Sequence, residues 1–149
     1  MDENRIEKVL VANRGEIAIR IFRACYDLGI HTVAMYSAED TYSNFRTKAD
    51  EAYLIGEGKS ALGAYLDIPG IIDLAKRRGV SAIHPGYGFL SENPAFAKAC
   101  EDNGIIFIGP PSNVLGQMGD KLAAKAIAKE CNVPTIPGST EPLKDGDEV

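Results

Sequence analysis

Cysteine is scarce in this chain, with three residues in 149, at positions 25, 100 and 131. Thiols that are odd in number and far apart suit neither a disulfide framework nor a metal site. Each sits in a helical apolar pattern, so all three are expected as buried thiols in a reducing compartment. A basic surplus is missing as well. Sixteen Lys and Arg stand against 21 Asp and Glu, for a net charge of −5, and the two signs are mixed along the chain. That leaves no electrostatic footprint for DNA or RNA. No apolar run approaches the roughly 20 residues that a membrane-spanning helix requires. The acidic start Met1-Asp2-Glu3 lacks the basic and apolar regions of a signal peptide. The expected partners therefore include neither nucleic acid nor membrane, and the expected location is the cytoplasm. A hydrophobic fraction of 45% and a charged fraction of 25% are ordinary for a globular protein with one core, or one core and the start of a second.

The first loop, Ala12-Asn13-Arg14-Gly15-Glu16, is short of glycine. It follows the first strand, where a dinucleotide-binding protein carries its phosphate turn, yet side chains fill the positions that let a backbone approach pyrophosphate. Glu39 and Asp40 after the second strand imitate a ribose-binding acid, but acids in a solvated loop are common. A nicotinamide or flavin oxidoreductase is thus a weak second class.

What is present is a regular alternation. Strand-like segments at 8–12, 31–36, 52–55, 82–84 and 105–108 alternate with helical ones at 16–28, 68–78 and 94–102. The strands are continuously apolar, which predicts an α/β fold with a parallel sheet covered on both faces. After Gly109-Pro110-Pro111 the pattern changes to short helices at 113–117 and 121–131, an extended connector at 133–138, and a tail at 144–149 with no closing element. These features predict a first domain over 1–118 and the start of a second over 119–149.

Three segments carry chemistry. The decapeptide His84-Pro85-Gly86-Tyr87-Gly88-Phe89-Leu90-Ser91-Glu92-Asn93 joins a strand's carboxyl end to the next helix, the edge at which open α/β sheets bind ligands. A rigid turn whose glycines only supply positive φ is the plain alternative. The length of the loop and its His, Tyr, Ser and Glu side chains favour ligand contact. In the first helix, Ile17, Ile21, Ala24 and Leu28 form the stripe expected to face the sheet. Glu16, Arg20, Arg23 and Asp27 are expected on another face, oriented to pair as Glu16–Arg20 and Arg23–Asp27. That charged face is either solvated or an isologous dimer contact. Finally, Asp120 caps a helix whose first turn then carries Lys121, a cation where the dipole is already positive. Lys121 either reaches solvent or completes an anion site with the helix amides.

Residues 11–20 (Val-Ala-Asn-Arg-Gly-Glu-Ile-Ala-Ile-Arg), the decapeptide, Phe107-Ile108-Gly109-Pro110 and Met118-Gly119-Asp120-Lys121 occur in the order and approximate spacing of one family. Over essentially its whole length the chain resembles the biotin carboxylase component of biotin-dependent carboxylases. Within that family, residues 36–40 and 48–56 look most like the pyruvate carboxylase branch, while Met118 also suits the acetyl-CoA or other acyl-CoA carboxylase type. The resemblance implies a Rossmann-like pre-ATP-grasp domain followed by an ATP-grasp domain that uses ATP, Mg2+ and bicarbonate to carboxylate biotin. It implies that Lys121 contacts ATP, that Gly86, Tyr87 and Gly88 lie near biotin, and that Arg20, Arg23 and Asp27 belong to a homodimer contact through the first helix. It further implies a biotin carboxyl carrier domain and other carboxylase domains as partners. The lid, the magnesium-binding glutamates and the carboxyl-transfer arginine are expected beyond Val149, so no catalytic residue and no metal ligand is assigned within the chain. By itself it is expected to be inactive. Another ATP-grasp ligase and a free-standing dimerisation module are the more distant alternatives.

Overall fold

The computed structural model describes residues 6–136. The first three residues, the end of the 133–138 connector and the tail at 144–149 lie outside them. Five strands form one parallel sheet: β1 (Lys8–Val11), β2 (His31–Tyr36), β3 (Glu51–Leu54), β4 (Ala82–His84) and β5 (Ile106–Phe107), in the order β3-β2-β1-β4-β5. The helices are α1 (Gly15–Asp27), α2 (Ala61–Tyr65), α3 (Ile68–Arg77), α4 (Pro94–Asp102), α5 (Ser112–Gly119) and α6 (Lys121–Glu130). This is the α/β architecture that the apolar strands predict.

Alternation along β1 explains how the sheet is covered. Leu10 points into a core with Val33, Met35, Ile83, Tyr65 and residues of α3 and α4. Its neighbours Val9 and Val11 enter a second core with Ala18, Ile21, Phe22 and Cys25 of α1. Successive side chains of a strand face opposite sides, so a central strand with helices on both faces must be apolar at every position.

Local chemistry sets the helix boundaries. Asn93 accepts the Phe96 N–H at 3.1 Å ahead of Pro94, and Asp120 accepts the Ala123 N–H at 2.7 Å. Both caps agree with the sequence reading. For α5 the partner is remote: the Glu101 carboxylate of α4 accepts the Ser112 N–H at 2.9 Å and its hydroxyl at 2.7 Å.

Five expectations need correction. The sheet-facing residues of α1 are Ala18, Ile21, Phe22 and Cys25, while Ala24 and Leu28 are exposed. Two apolar arcs overlap at Ile21, and the one carrying Phe22 removes more apolar area from water. Ile17, half-buried, packs against the core beneath α1 as expected, and with Ala24 and Leu28 it lines an apolar cleft of about 430 Å3 beside Ile6, Ile30, Ile108 and Arg20. Cys25 and Cys100 are buried, but Cys131 is exposed, because α6 buries none of its residues. Glu16 and Arg20 approach to 4.0 Å, whereas no ion pair joins Arg23 to Asp27 among the described residues. Elements also form where the sequence predicts none: 3-10 turns at Ala38–Asp40 and Asn44–Lys48, and the short α2. β3 runs one residue earlier than the expected 52–55.

The amino ends of the strands are tied by charge. Glu51 accepts from Lys8 Nζ at 2.8 Å and from the Tyr53 hydroxyl at 2.6 Å, and lies 2.8 Å from His31 Nε2. Hydrogen bonds from Lys8, then Tyr53, hold its carboxyl down at about 2, against an ordinary 4.5. A carboxylate with a depressed folded pKa stabilises the fold above its unfolded pKa and loses that contribution as pH falls through the folded value. The stability difference between this protein and Glu51→Gln is therefore expected in full above about pH 4.5, shrinking as pH falls toward about 2. Urea titrations across that range read it directly.

Candidate functional site

The chain leaves β1 toward β2 and β3 on one side, and leaves β4 toward β5 on the other. Such a reversal opens a crevice between the carboxyl ends of the two central strands, where α/β sheets bind ligands. Here the crevice is a cleft of about 460 Å3 lined by Asn13 to Ile17, from the end of the first loop into α1, and by Tyr87, Gly88 and Phe89 of the decapeptide. Two of the residues assigned near biotin, Tyr87 and Gly88, line it. Gly86 lies immediately behind.

Asn13 builds the site. Its side chain is buried, and its amide nitrogen donates to the carbonyls of Pro85 at 2.7 Å and Tyr87 at 2.8 Å. Its oxygen accepts the Arg14 N–H at 2.9 Å, just ahead of α1. Gly86 adopts φ +67°, and a Cβ there would sit 2.7 Å from Asn13 Nδ2. Gly88 has φ +68° but open space around it. The two glycines thus differ in purpose: Gly86 supplies both a turn and a close approach, Gly88 only the turn. The Gly86 N–H also donates to His84 Nδ1 at 3.0 Å. Burial lowers the His84 pKa, which favours the neutral ring with its proton on Nε2.

The loop's side chains are anchored as well. The Tyr87 hydroxyl donates to Glu16 Oε1 at 2.5 Å, and Glu16 Oε2 faces Arg20 at 4.0 Å. Accepting that proton, Glu16 raises the phenol pKa of Tyr87. Phe89 has φ +43°, unusual for a residue with a Cβ. Its ring stacks on Tyr65 at 5.1 Å between centroids.

Tyr65 leads to a polar network that the sequence reading missed. Asp40, expected in a solvated loop, is buried. It accepts from Tyr65 at 2.8 Å and Ser43 at 2.9 Å, and faces the Arg14 guanidinium at 3.3 Å. Burial, then the hydrogen bond to Asp40, pushes the Tyr65 phenol well above its ordinary range. The signal was the serine three residues after Asp40, a spacing that lets a hydroxyl reach the carboxylate. Arg14 therefore connects the crevice to the turn after β2, while its side chain stays half-exposed.

The remaining assigned residues lie elsewhere. Arg20, Arg23 and Asp27 are exposed on α1. Lys121 is exposed at the first position of α6 and lines a separate cleft of about 690 Å3 with Met118, Lys125, Thr135 and Ile136. Among the described residues no three His, Cys, Asp or Glu side chains gather as a metal site, and no helix is long and apolar enough to cross a membrane.

A doubly covered parallel sheet whose switch-point crevice is filled by side chains rather than by a glycine-rich phosphate turn defines a Rossmann-like α/β domain outside the dinucleotide-binding type. The chain belongs to the biotin carboxylase N-terminal domain family, which it matches over residues 5–115. It is 63% identical over 144 residues to pyruvate carboxylase of Bacillus subtilis, covering 97% of this chain and 12% of that protein. It is 60% identical over 138 residues to the mitochondrial pyruvate carboxylase of Rattus norvegicus, covering 93% and 12%. Among solved structures, the biotin carboxylase domain dimer of the Hydrogenobacter thermophilus 2-oxoglutarate carboxylase, in complex with MgADP, ADP and bicarbonate, superposes with a TM-score of 0.90. That match has 52% identity and covers 96% of this chain and 31% of that one. Pyruvate carboxylase from Rhizobium etli gives 0.85 at 49% identity, covering 88% and 13%. The chain thus spans about an eighth of the length of its curated relatives.

The crevice geometry predicts unequal responses to adding one methyl group. Gly88→Ala meets only the cost of a left-handed conformation, about 1–2 kcal/mol. Gly86→Ala must also displace the Asn13 amide, and is expected to cost about 1–3 kcal/mol more by leaving buried carbonyls unpaired. Urea unfolding of the two variants side by side reads the difference.

Proposed function

We propose that this chain is the N-terminal part of a biotin carboxylase within a pyruvate carboxylase, an ATP-dependent ligase that carboxylates biotin with bicarbonate. The observation that carries the reading is the crevice: a chain this similar to pyruvate carboxylases places its aromatic and glycine residues at the edge where such sheets receive ligands. In this reading Tyr87 and Gly88 line the approach to biotin, Gly86 lets the loop close against Asn13, and Lys121 with the α6 amides receives the nucleotide phosphates. ATP and Mg2+ would supply the phosphoryl group and the charge that activate bicarbonate. The carboxylates that would hold the metal are assigned to other parts of the enzyme, as the family resemblance implies. Residues 1–118 form the biotin carboxylase N-terminal domain and 119–149 open the ATP-grasp domain.

Partners follow from the same reading. The exposed Arg20 lines the apolar cleft of Ile17, Ala24 and Leu28, and the exposed Arg23 and Asp27 lie on the same helix, a combination of charge and apolar surface suited to a two-fold contact. We assign a homodimer there, with a biotin carboxyl carrier domain and the remaining carboxylase domains as further partners, in the cytoplasm. Pyruvate as final acceptor is favoured over an acyl-CoA by the pyruvate carboxylases among the curated relatives.

The test is ADP release by the full-length enzyme with bicarbonate, with and without free biotin and pyruvate. Biotin-dependent ATP cleavage supports the reading, and its absence overturns it. Lys121 gives a sharper outcome. Its ammonium opposes the α6 dipole, so Lys121→Gln should leave thermal unfolding unharmed while weakening ATP binding by about 1–3 kcal/mol, the range of a charge-assisted hydrogen bond. ATP titration and thermal unfolding of the same two proteins check both halves.

A further inference from the structure

Tyr87 poses a physical problem. It is 59% exposed at a loop tip, flanked by Gly86 and Gly88, so packing gives its ring little restraint. A freely rotating aromatic makes a poor contact surface, because binding must then pay its ordering entropy. The structure solves this from a segment more than seventy residues away. Asn13 fixes the Tyr87 carbonyl, and Glu16 accepts the Tyr87 hydroxyl at 2.5 Å.

Glu16 is well placed to hold still. It stands in the first turn of α1, where the helix dipole favours a carboxylate. Its second oxygen faces Arg20 one turn later at 4.0 Å. Gly15 before it, at φ +65°, sets the helix start, and the backbone there is tied to Asn13 through the Arg14 N–H. The backbone that carries the acceptor is therefore positioned by α1 itself, independently of the tyrosine.

We infer that Glu16 is a positioning residue that fixes the Tyr87 ring over the switch-point crevice, so that the ring is preorganised as a wall for the biotin bicycle. This rests on the proposed biotin carboxylase function. Glu16 acts through the phenol and needs no contact of its own with substrate.

The test is a double-mutant cycle in the full-length enzyme, reading biotin-dependent ATP cleavage with free biotin. Glu16→Ala is expected to raise the KM for biotin about three- to tenfold, the worth of one hydrogen bond, with kcat changed less than about twofold. In the Tyr87→Phe background the same substitution should have no further effect, because the phenol it acts through is gone. Glu16→Gln, which keeps an acceptor oxygen, should recover most of the parent KM. Thermal unfolding of each variant excludes loss of fold. An unchanged biotin KM in Glu16→Ala overturns the inference, and so do additive effects in the double variant. A parent enzyme with no biotin dependence would instead overturn the functional reading beneath it.

Discussion

The two hydrogen bonds donated by the Asn13 amide are the constraint on which the carboxyl edge of this sheet depends. β1 and β4 pair side by side, but their loops diverge to helices on opposite faces, so the ladder cannot hold the loops together. Asn13 does so from a buried position, donating to Pro85 and Tyr87 at 2.7 and 2.8 Å. A side-chain amide suits the task because its nitrogen carries two donors and its oxygen remains free to accept from Arg14. Much else follows. Gly86 has no Cβ because Asn13 occupies that space, and two residues past the fixed Tyr87 carbonyl Phe89 takes a left-handed conformation with its ring stacked on Tyr65.

The two edges of the sheet divide the labour. At the amino edge, Lys8, His31, Glu51 and Tyr53 satisfy one another and Thr32 donates to Asp50, an arrangement suited to holding strands together. At the carboxyl edge, Arg14 pairs with Asp40 and lies over the Tyr65 ring, Tyr87 donates to Glu16, and both side chains keep a face toward solvent. The buried Asp40 lies behind them, its charge compensated by Arg14, Tyr65 and Ser43. Leaving such a buried carboxylate without its partner would cost about 3–5 kcal/mol, so the network holds the crevice wall in place.

The fold was legible because parallel strands buried on both faces must be apolar throughout, and the segments around Leu10, Val33 and Ile83 are. The decapeptide was legible as a loop at the carboxyl edge of the sheet because it joins a strand end to the capped helix of Asn93. What stayed hidden involves partners far apart in sequence. Nothing near Asp40 announces Tyr65 or Arg14, so a buried acid reads as a solvated one. Asn13 in a glycine-poor loop reads as an obstacle to a phosphate until the carbonyls of Pro85 and Tyr87 are brought beside it. The facing of α1 was misjudged because its apolar residues cover more than one stripe, and only packing against the sheet chooses between Phe22 and Leu28. Cys131 looked buried because α6 has a helical apolar pattern, yet none of its residues is fully buried in the described structure.

If Asn13 is the clamp, its removal should loosen one loop and spare the sheet. Hydrogen exchange of Asn13→Ala in the full-length protein measures this amide by amide. The account predicts exchange over residues 86–91 at least about tenfold faster than in the parent, the consequence of unpairing buried carbonyls, with β1 and β2 protected as before. Unchanged exchange in that loop, or a uniform loss of protection across the sheet, would contradict it.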